Sequence, residues 1–270
     1  MIDHLQIALA DRLARDVPGL RAVLLFGSTL SPEMRKQTSI PDLVAIVDDV
    51  GAALPSFDLA LPPPLARWLA CPLPPVTFAL RESGSADTVA KVNVVSFDGV
   101  RAALVRPDDL SLAGRLAKKT RLLRVGDDRA RAEIEALLDE AAEVMARATT
   151  LALPRVVTLE EASRRCFALS YRAEPRPETA AQIAIRYRAF ADDYRARYGP
   201  RLASAARARG IDVAGDSLVD RRPASVRRRD VRALARLLRR SRVRALLRWS
   251  RQLFVYRGWL PYLAGKLRRA

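Results

Sequence analysis

Positive charge is crowded into one end of this chain. From Arg221 to Ala270 there are seventeen Lys/Arg against the single acid Asp230, so sixteen of the +17 net charges lie in the last fifty residues. The rest of the chain is nearly neutral. A chain that gathers its excess charge in this way suits a polyanionic surface, either nucleic acid or anionic lipid.

Half of the 270 residues are hydrophobic, enough for one large domain or two small ones without metal or disulfide staples. The two cysteines, Cys71 and Cys166, stand in apolar stretches and read as packing residues of a protein in a reducing cytoplasm. The one histidine is His4, which excludes a Ser/His/Asp triad, a Cys/His pair and a histidine-rich zinc site. Chemistry must therefore run on carboxylates, lysine, arginine and backbone groups. No segment approaches the roughly eighteen apolar residues that span a bilayer, and Asp3 and Asp11 do not suit a basic leader, so a soluble or peripheral protein is expected.

Ile2 to Leu13 has the spacing of an amphipathic helix ending near Pro18. Strands are expected at Ala22 to Phe26, stopped by Gly27-Ser28, and at Leu43 to Val47, entered through Pro41-Asp42. The proline-rich stretch Pro55 to Pro75 reads as irregular. Val76 to Leu80 and Lys91 to Phe97 read as further strands. After Gly126 the pattern becomes helical: a long helix over Asp127 to Thr149, a second opened by the capping box Thr158-Leu-Glu-Glu161, and a third marked by Tyr187, Phe190, Tyr194 and Tyr198. That aromatic stripe reads as core. The expected fold class is α/β (α+β), with a catalytic domain over 1–125, a smaller helical domain over 126–220 and a basic amphipathic tail over 221–270.

A strand ending in Gly-Ser, a loop, then a strand opened by an acid is the skeleton of a polymerase-β-type nucleotidyltransferase site. Here it reads Leu24-Leu25-Phe26-Gly27-Ser28 and Asp42-Leu43-Val44-Ala45-Ile46. Glycine lets the backbone approach a triphosphate, and the carboxylate can hold Mg²⁺ against the phosphate oxygens. The usual second acid two residues on is Val44. Asp48 and Asp49 lie at the far end of the strand, ~20 Å away if extended, and read as loop acids. A turn glycine with a strand-entry aspartate is the plain structural alternative.

In the same order along the chain come Phe26-Gly27-Ser28, Pro41-Asp42-Leu43-Val44, Lys91-Val92-Asn93-Val94, Leu112-Ala113-Gly114-Arg115-Leu116-Ala117-Lys118 and Arg222-Pro223-Ala224-Ser225-Val226-Arg227. This series resembles the motifs of the mitochondrial translocator assembly and maintenance protein family, which are phosphatidate cytidylyltransferases. The family's single aspartate at that strand start accounts for Val44. Its tyrosine-glycine after the strand lysine is Val92-Asn93 here, and its proline after the second lysine is Lys119.

The resemblance implies a CDP-diacylglycerol synthase of phospholipid and cardiolipin biosynthesis, acting on CTP and phosphatidic acid with Mg²⁺ as cofactor. Gly27 and Ser28 would cradle the triphosphate and Asp42 would bind the metal. Lys91 and Arg115 would offset phosphate charge, with Lys118 as a further substrate-binding candidate. The alanine- and arginine-heavy composition, without an arginine- and serine-rich presequence, suits a bacterial cytoplasm with peripheral attachment to the inner face of the cell membrane, whereas the resemblance implies the mitochondrial inner membrane in a eukaryote. Arg227 to Arg251 sets Val231, Leu234, Leu238, Ala245 and Trp249 near one side of a helix covered elsewhere by arginine, and Phe254, Tyr256, Trp259, Leu260 and Tyr262 follow, as in interfacial helices. Two alternatives stay open: an RNA as the polyanion, and a catalytically inactive binding module of the same fold.

Overall fold

The computed structural model describes residues 4–30, 40–70, 72–81, 88–174 and 178–256. The chain divides into two compact units, each built from more than one stretch: residues 1–101, 120–135 and 246–270 form the first, and 102–119 and 136–245 the second.

The first unit is a mixed α/β layer. Helix α1 (His4–Asp16) buries Leu9, Ala10 and Leu13 and exposes Leu5 and Ile7. Strands β1 (Leu20–Phe26), β2 (Asp42–Val47), β3 (Val76–Arg81), β4 (Thr88–Ser96) and β5 (Thr120–Val125) form one sheet in the order β3-β4-β2-β1-β5. The β2–β4 pair is parallel and the other three pairs are antiparallel. The runs AVLLF and LVAIV are continuously apolar rather than alternating because β1 and β2 are buried on both faces. On one face Val23, Leu25, Leu43, Ala45, Val92 and Val94 join the α1 residues in a single core.

Two expectations change here. β4 stops at Ser96, one residue short of Phe97, because the Ser96 hydroxyl accepts the Gly99 amide and so caps helix α4 (Phe97–Val105). The proline-rich stretch is not irregular throughout. After the short helix α2 (Val50–Ala53) it holds helix α3 (Pro63–Ala70), whose two prolines occupy the first turn, where a missing N–H costs nothing.

The second unit is helical with a three-stranded sheet: α5 (Ser111–Leu116), the later part of α6 (Asp128–Thr149), β6 (Val156–Thr158), α7 (Leu159–Arg172), α8 (Ala180–Arg188), α9 (Ala191–Arg207), β7 (Asp212–Ala214) and β8 (Ser217–Val219), the strands ordered β6-β8-β7. Thr158 caps α7 by accepting the Glu161 amide, while Glu161 turns to Arg164 and Arg165. The aromatic stripe spans two helices rather than one, with Phe190 as the cap of α9. Tyr187, Tyr194 and Tyr198 are core: Tyr194 stacks on both of the others, and Tyr187 and Tyr194 pack against Phe167. Gly114 is the close-packing point of α5 on α7: a Cβ there would meet the Ser170 Cα at 3.0 Å.

The last described helix, α10 (Ala224–Val255), runs 32 residues. Its apolar side is largely used internally. Leu234, Leu238 and Ala245 are buried, and so are Val255 and Tyr256 beyond them, which corrects the expectation of a wholly interfacial tail. Arg251 is buried too, donating to the carbonyls of Ala70, Leu73 and Pro75, and Tyr256 packs edge-on against Phe78. Trp259, Leu260, Tyr262 and Cys71 lie outside the described residues.

The Arg222-Pro223-Ala224-Ser225-Val226-Arg227 block opens α10 as a buried ionic network. Arg222 forks onto Asp220 through Nε and Nη2 at 2.8 and 2.9 Å and reaches Asp230 at 2.9 Å. Arg227 lies 3.3 Å from Asp220, and Arg209 lies 3.3 Å from Asp230.

Candidate active site

Antiparallel pairing puts the end of β1 beside the start of β2, so Phe26 pairs with Asp42 and Gly27 turns away directly opposite the carboxylate. Gly27 has φ +90°, a conformation that glycine adopts without strain and L side chains rarely adopt. A Cβ on it would stand 3.5 Å from Asp42 Oδ2, so the turn and the carboxylate border the same space. Ser28 opens the short 3-10 turn Ser28–Leu30, closed by the Leu30 amide on the Gly27 carbonyl.

Parallel pairing of β2 with β4 adds the third residue. Asp42 is in register with Lys91, and the Lys91 ammonium lies 3.0 Å from Asp42 Oδ1. Lys91 is 8% exposed, and its backbone amide donates to Pro41. Buried aliphatic methylenes with a charged tip against a carboxylate make Lys91 a fixed cation rather than a waving surface lysine. Gly27, Asp42 and Lys91 thus form one cluster at one end of the sheet, although 49 residues separate the ion pair.

The other two candidates belong to the second unit. Lys118 lies 3.0 Å from Glu174, over the face of Tyr171, and Arg115 lies 3.9 Å from the other oxygen of Glu174. Burial holds the Tyr171 hydroxyl far above its usual pKa, so it stays protonated beneath the ammonium. Arg115 and Lys118 are therefore brought together, and Gly27, Asp42 and Lys91 are brought together, each set within its own unit. Sequence reasoning missed Glu174, which has no linear signal: it stands 56 residues from the lysine it pairs with.

Asp48 and Asp49 do structural work. Asp48 pairs with Arg21, and Asp49 caps α2 by accepting the Gly51 amide. Val44, where a second metal-binding acid would stand, is 2% exposed in the core. Among the described residues no three His, Cys, Asp or Glu side chains gather as a metal cluster.

No family model matches the chain, and no curated protein matches it. Among solved structures it is similar to a nucleotidyltransferase-like protein from Exiguobacterium sibiricum 255-15. That likeness has 11% identity and a TM-score of 0.30, over 76% of this chain and 80% of that one. At this score the likeness adds nothing to the geometry.

Among the described residues the donor set is one carboxylate with an ammonium on its Oδ1 side, chemistry that would suit a Mg²⁺ ion brought in with a triphosphate, with Asp42 as the residue that would hold it.

Proposed function

We propose that the protein is a nucleotidyltransferase that transfers a nucleoside monophosphate to a phosphate acceptor, with CTP and phosphatidic acid as its substrates. The observation that carries this reading is the convergence of Gly27, Asp42 and Lys91 from three strands onto one sheet end. The Gly27 turn admits a triphosphate without a side chain in the way. Asp42 would hold Mg²⁺, which supplies charge neutralisation on the phosphates. Lys91 binds and orients phosphate oxygens. In the step, an acceptor phosphate oxygen bonds to the α-phosphorus while the bond from that phosphorus to the bridging oxygen breaks, and pyrophosphate leaves with the electron pair. The acceptor is already anionic at neutral pH, so no histidine base is required. Alignment and fixed charge suffice.

A lipid acceptor is favoured over RNA by the exposed side of α10. From Arg228 to Arg242 that side is mostly arginine; from Val243 to Phe254 it carries Val243, Leu246, Leu247, Trp249, Leu253 and Phe254. Helix α3, joined to α10 through the Arg251–Ala70 hydrogen bond, adds Leu65 and Trp68, the latter 74% exposed. Arginine beside exposed leucine and aromatic side chains fits a bilayer headgroup region, where each basic group contributes ~1 kcal/mol and each inserted large apolar side chain ~1.5–3 kcal/mol. RNA needs the arginines but not the apolar set.

The purified protein incubated with CTP, Mg²⁺ and phosphatidate in anionic vesicles is expected to release pyrophosphate and form CDP-diacylglycerol, and Asp42→Ala is expected to abolish both. Label transfer to RNA with no lipid product would replace the acceptor and leave nucleotidyl transfer standing. Leu253→Ser with Phe254→Ser is expected to weaken vesicle binding at least tenfold without altering the sheet.

A further inference from the structure

We infer that the arginine stripe on the exposed side of α10 is a headgroup-selecting surface, on which neighbouring guanidiniums close in pairs on the phosphomonoester of phosphatidic acid in preference to phosphodiester headgroups. The inference rests on the lipid-acceptor reading above and names how the protein finds its lipid substrate in a mixed membrane.

Arg228, Arg232, Arg236 and Arg240 follow one another at intervals of four residues on the second unit's part of α10, and Arg239 stands three residues from Arg236. All five are exposed. At about 1.5 Å per residue the stripe is ~18 Å long, and neighbours three or four apart have Cβ atoms about 5–6 Å from each other. Among the described residues none of the five is paired with a carboxylate. Asp230, the one acid of this helix, is buried and shared by Arg209 and Arg222. Exposed arginines on other helices of this unit do find acids, Arg165 on Glu161 and Arg195 on Glu160. Like charges at this spacing repel, so an anion that bridges two of them relieves the repulsion and has no acid to displace.

The side-chain type sets the preference. Every basic residue from Arg227 to Arg251 is arginine, whose planar fork takes two phosphate oxygens at once, where a lysine ammonium acts as a point charge. A phosphomonoester carries about −1.5 to −2 at pH 7 and three terminal oxygens, so two forks can share it. A phosphodiester has given up one of those oxygens, and the second charge, to its further ester bond. Val243 continues the line of Arg239 one turn on and is 50% exposed, a side chain that a bilayer takes up and a nucleic-acid strand leaves in water.

Vesicle flotation tests this without turnover. Vesicles containing phosphatidate or phosphatidylglycerol are matched for zeta potential at one pH and ionic strength. The wild-type protein is expected to bind the phosphatidate vesicles about tenfold more tightly. A chain with Arg232→Lys, Arg236→Lys, Arg239→Lys and Arg240→Lys keeps its charge, and is expected to hold both kinds of vesicle equally, at the wild-type affinity for phosphatidylglycerol. The same four positions changed to glutamine are expected to weaken both, with the far-ultraviolet circular dichroism of the wild type retained. Equal wild-type affinity for the two vesicles, or a preference that survives in the lysine variant, would overturn the inference. So would an RNA oligonucleotide that strips the protein from phosphatidate vesicles at equal phosphate concentration, because the stripe would then be a phosphodiester surface. A protein that selects phosphatidate vesicles yet forms no CDP-diacylglycerol removes the proposed reaction and leaves the selectivity of the stripe standing.

Discussion

Replacing Arg222 by alanine removes the central cation of the network that opens α10, and the structure sets the size of the loss. Arg222 is bidentate to Asp220 and also bonded to Asp230, and the three side chains are 11%, 2% and 9% exposed. Removing one partner of a buried ion pair costs about 3–5 kcal/mol, since the remaining charge keeps its desolvation penalty. Each aspartate retains a second guanidinium at 3.3 Å, Arg227 for Asp220 and Arg209 for Asp230, so the lower end is expected, about 3 kcal/mol. The loss should also depend on pH. Arg222, chiefly by hydrogen bonding, holds the Asp220 carboxyl below its usual value, outweighing the opposing effect of burial. A depressed folded pKa stabilises the fold above the unfolded value of about 3.9, and that contribution disappears as pH falls through the folded value. The wild-type advantage over Arg222→Ala is therefore expected to be full at pH 7 and to shrink below about pH 4. Urea unfolding followed by far-ultraviolet circular dichroism measures the difference, and hydrogen exchange in peptides covering 217–230 places it. A cost under about 1 kcal/mol at pH 7, or a difference that grows in acid, would refute the reasoning.

Three further outcomes are expected. Gly27→Ala, at φ +90°, should lose about 1–2 kcal/mol of stability from backbone strain alone, because its Cβ meets no atom closer than 3.5 Å; thermal unfolding measures this. Gly114→Ala should lose about 1–2 kcal/mol net, since overpacking against the Ser170 backbone exceeds the gain in helix propensity, and Ser170→Gly in the same chain should recover only part of it, because the contacts to Cα and the carbonyl remain. The Cys166 thiol, pushed up to about 12 by burial, should resist iodoacetamide at pH 8 in the native protein; peptide mass mapping that finds it alkylated faster than the protein unfolds would contradict the packing.

Much of the fold was legible in short-range patterns. The apolar runs ending at Gly27 and beginning after Asp42 announced β1 and β2, and helical periodicity announced α6 to within a residue. Local hydrogen-bond chemistry that was overlooked could also have been read: Thr179 and Gln182 form a full capping box that opens α8, and Ser96 caps α4. The prolines of α3 misled because only their position within the first turn makes them compatible with a helix. In the basic segment, helical spacing showed that Leu234, Leu238 and Ala245 share a side, but not whether protein or lipid covers it.

The sequence by itself determined which residue types were available for chemistry, where β1, β2 and α6 lie, and that the excess charge belongs to the last fifty residues. Only the tertiary structure decided who meets whom. Lys91 reaches Asp42 because β2 and β4 run parallel in one register, and Lys118 is neutralised because Glu174 arrives from the end of α7. An ion pair across 49 or 56 residues leaves no local trace, because the energy that selects it comes from burying the strands and helices on which the charges ride.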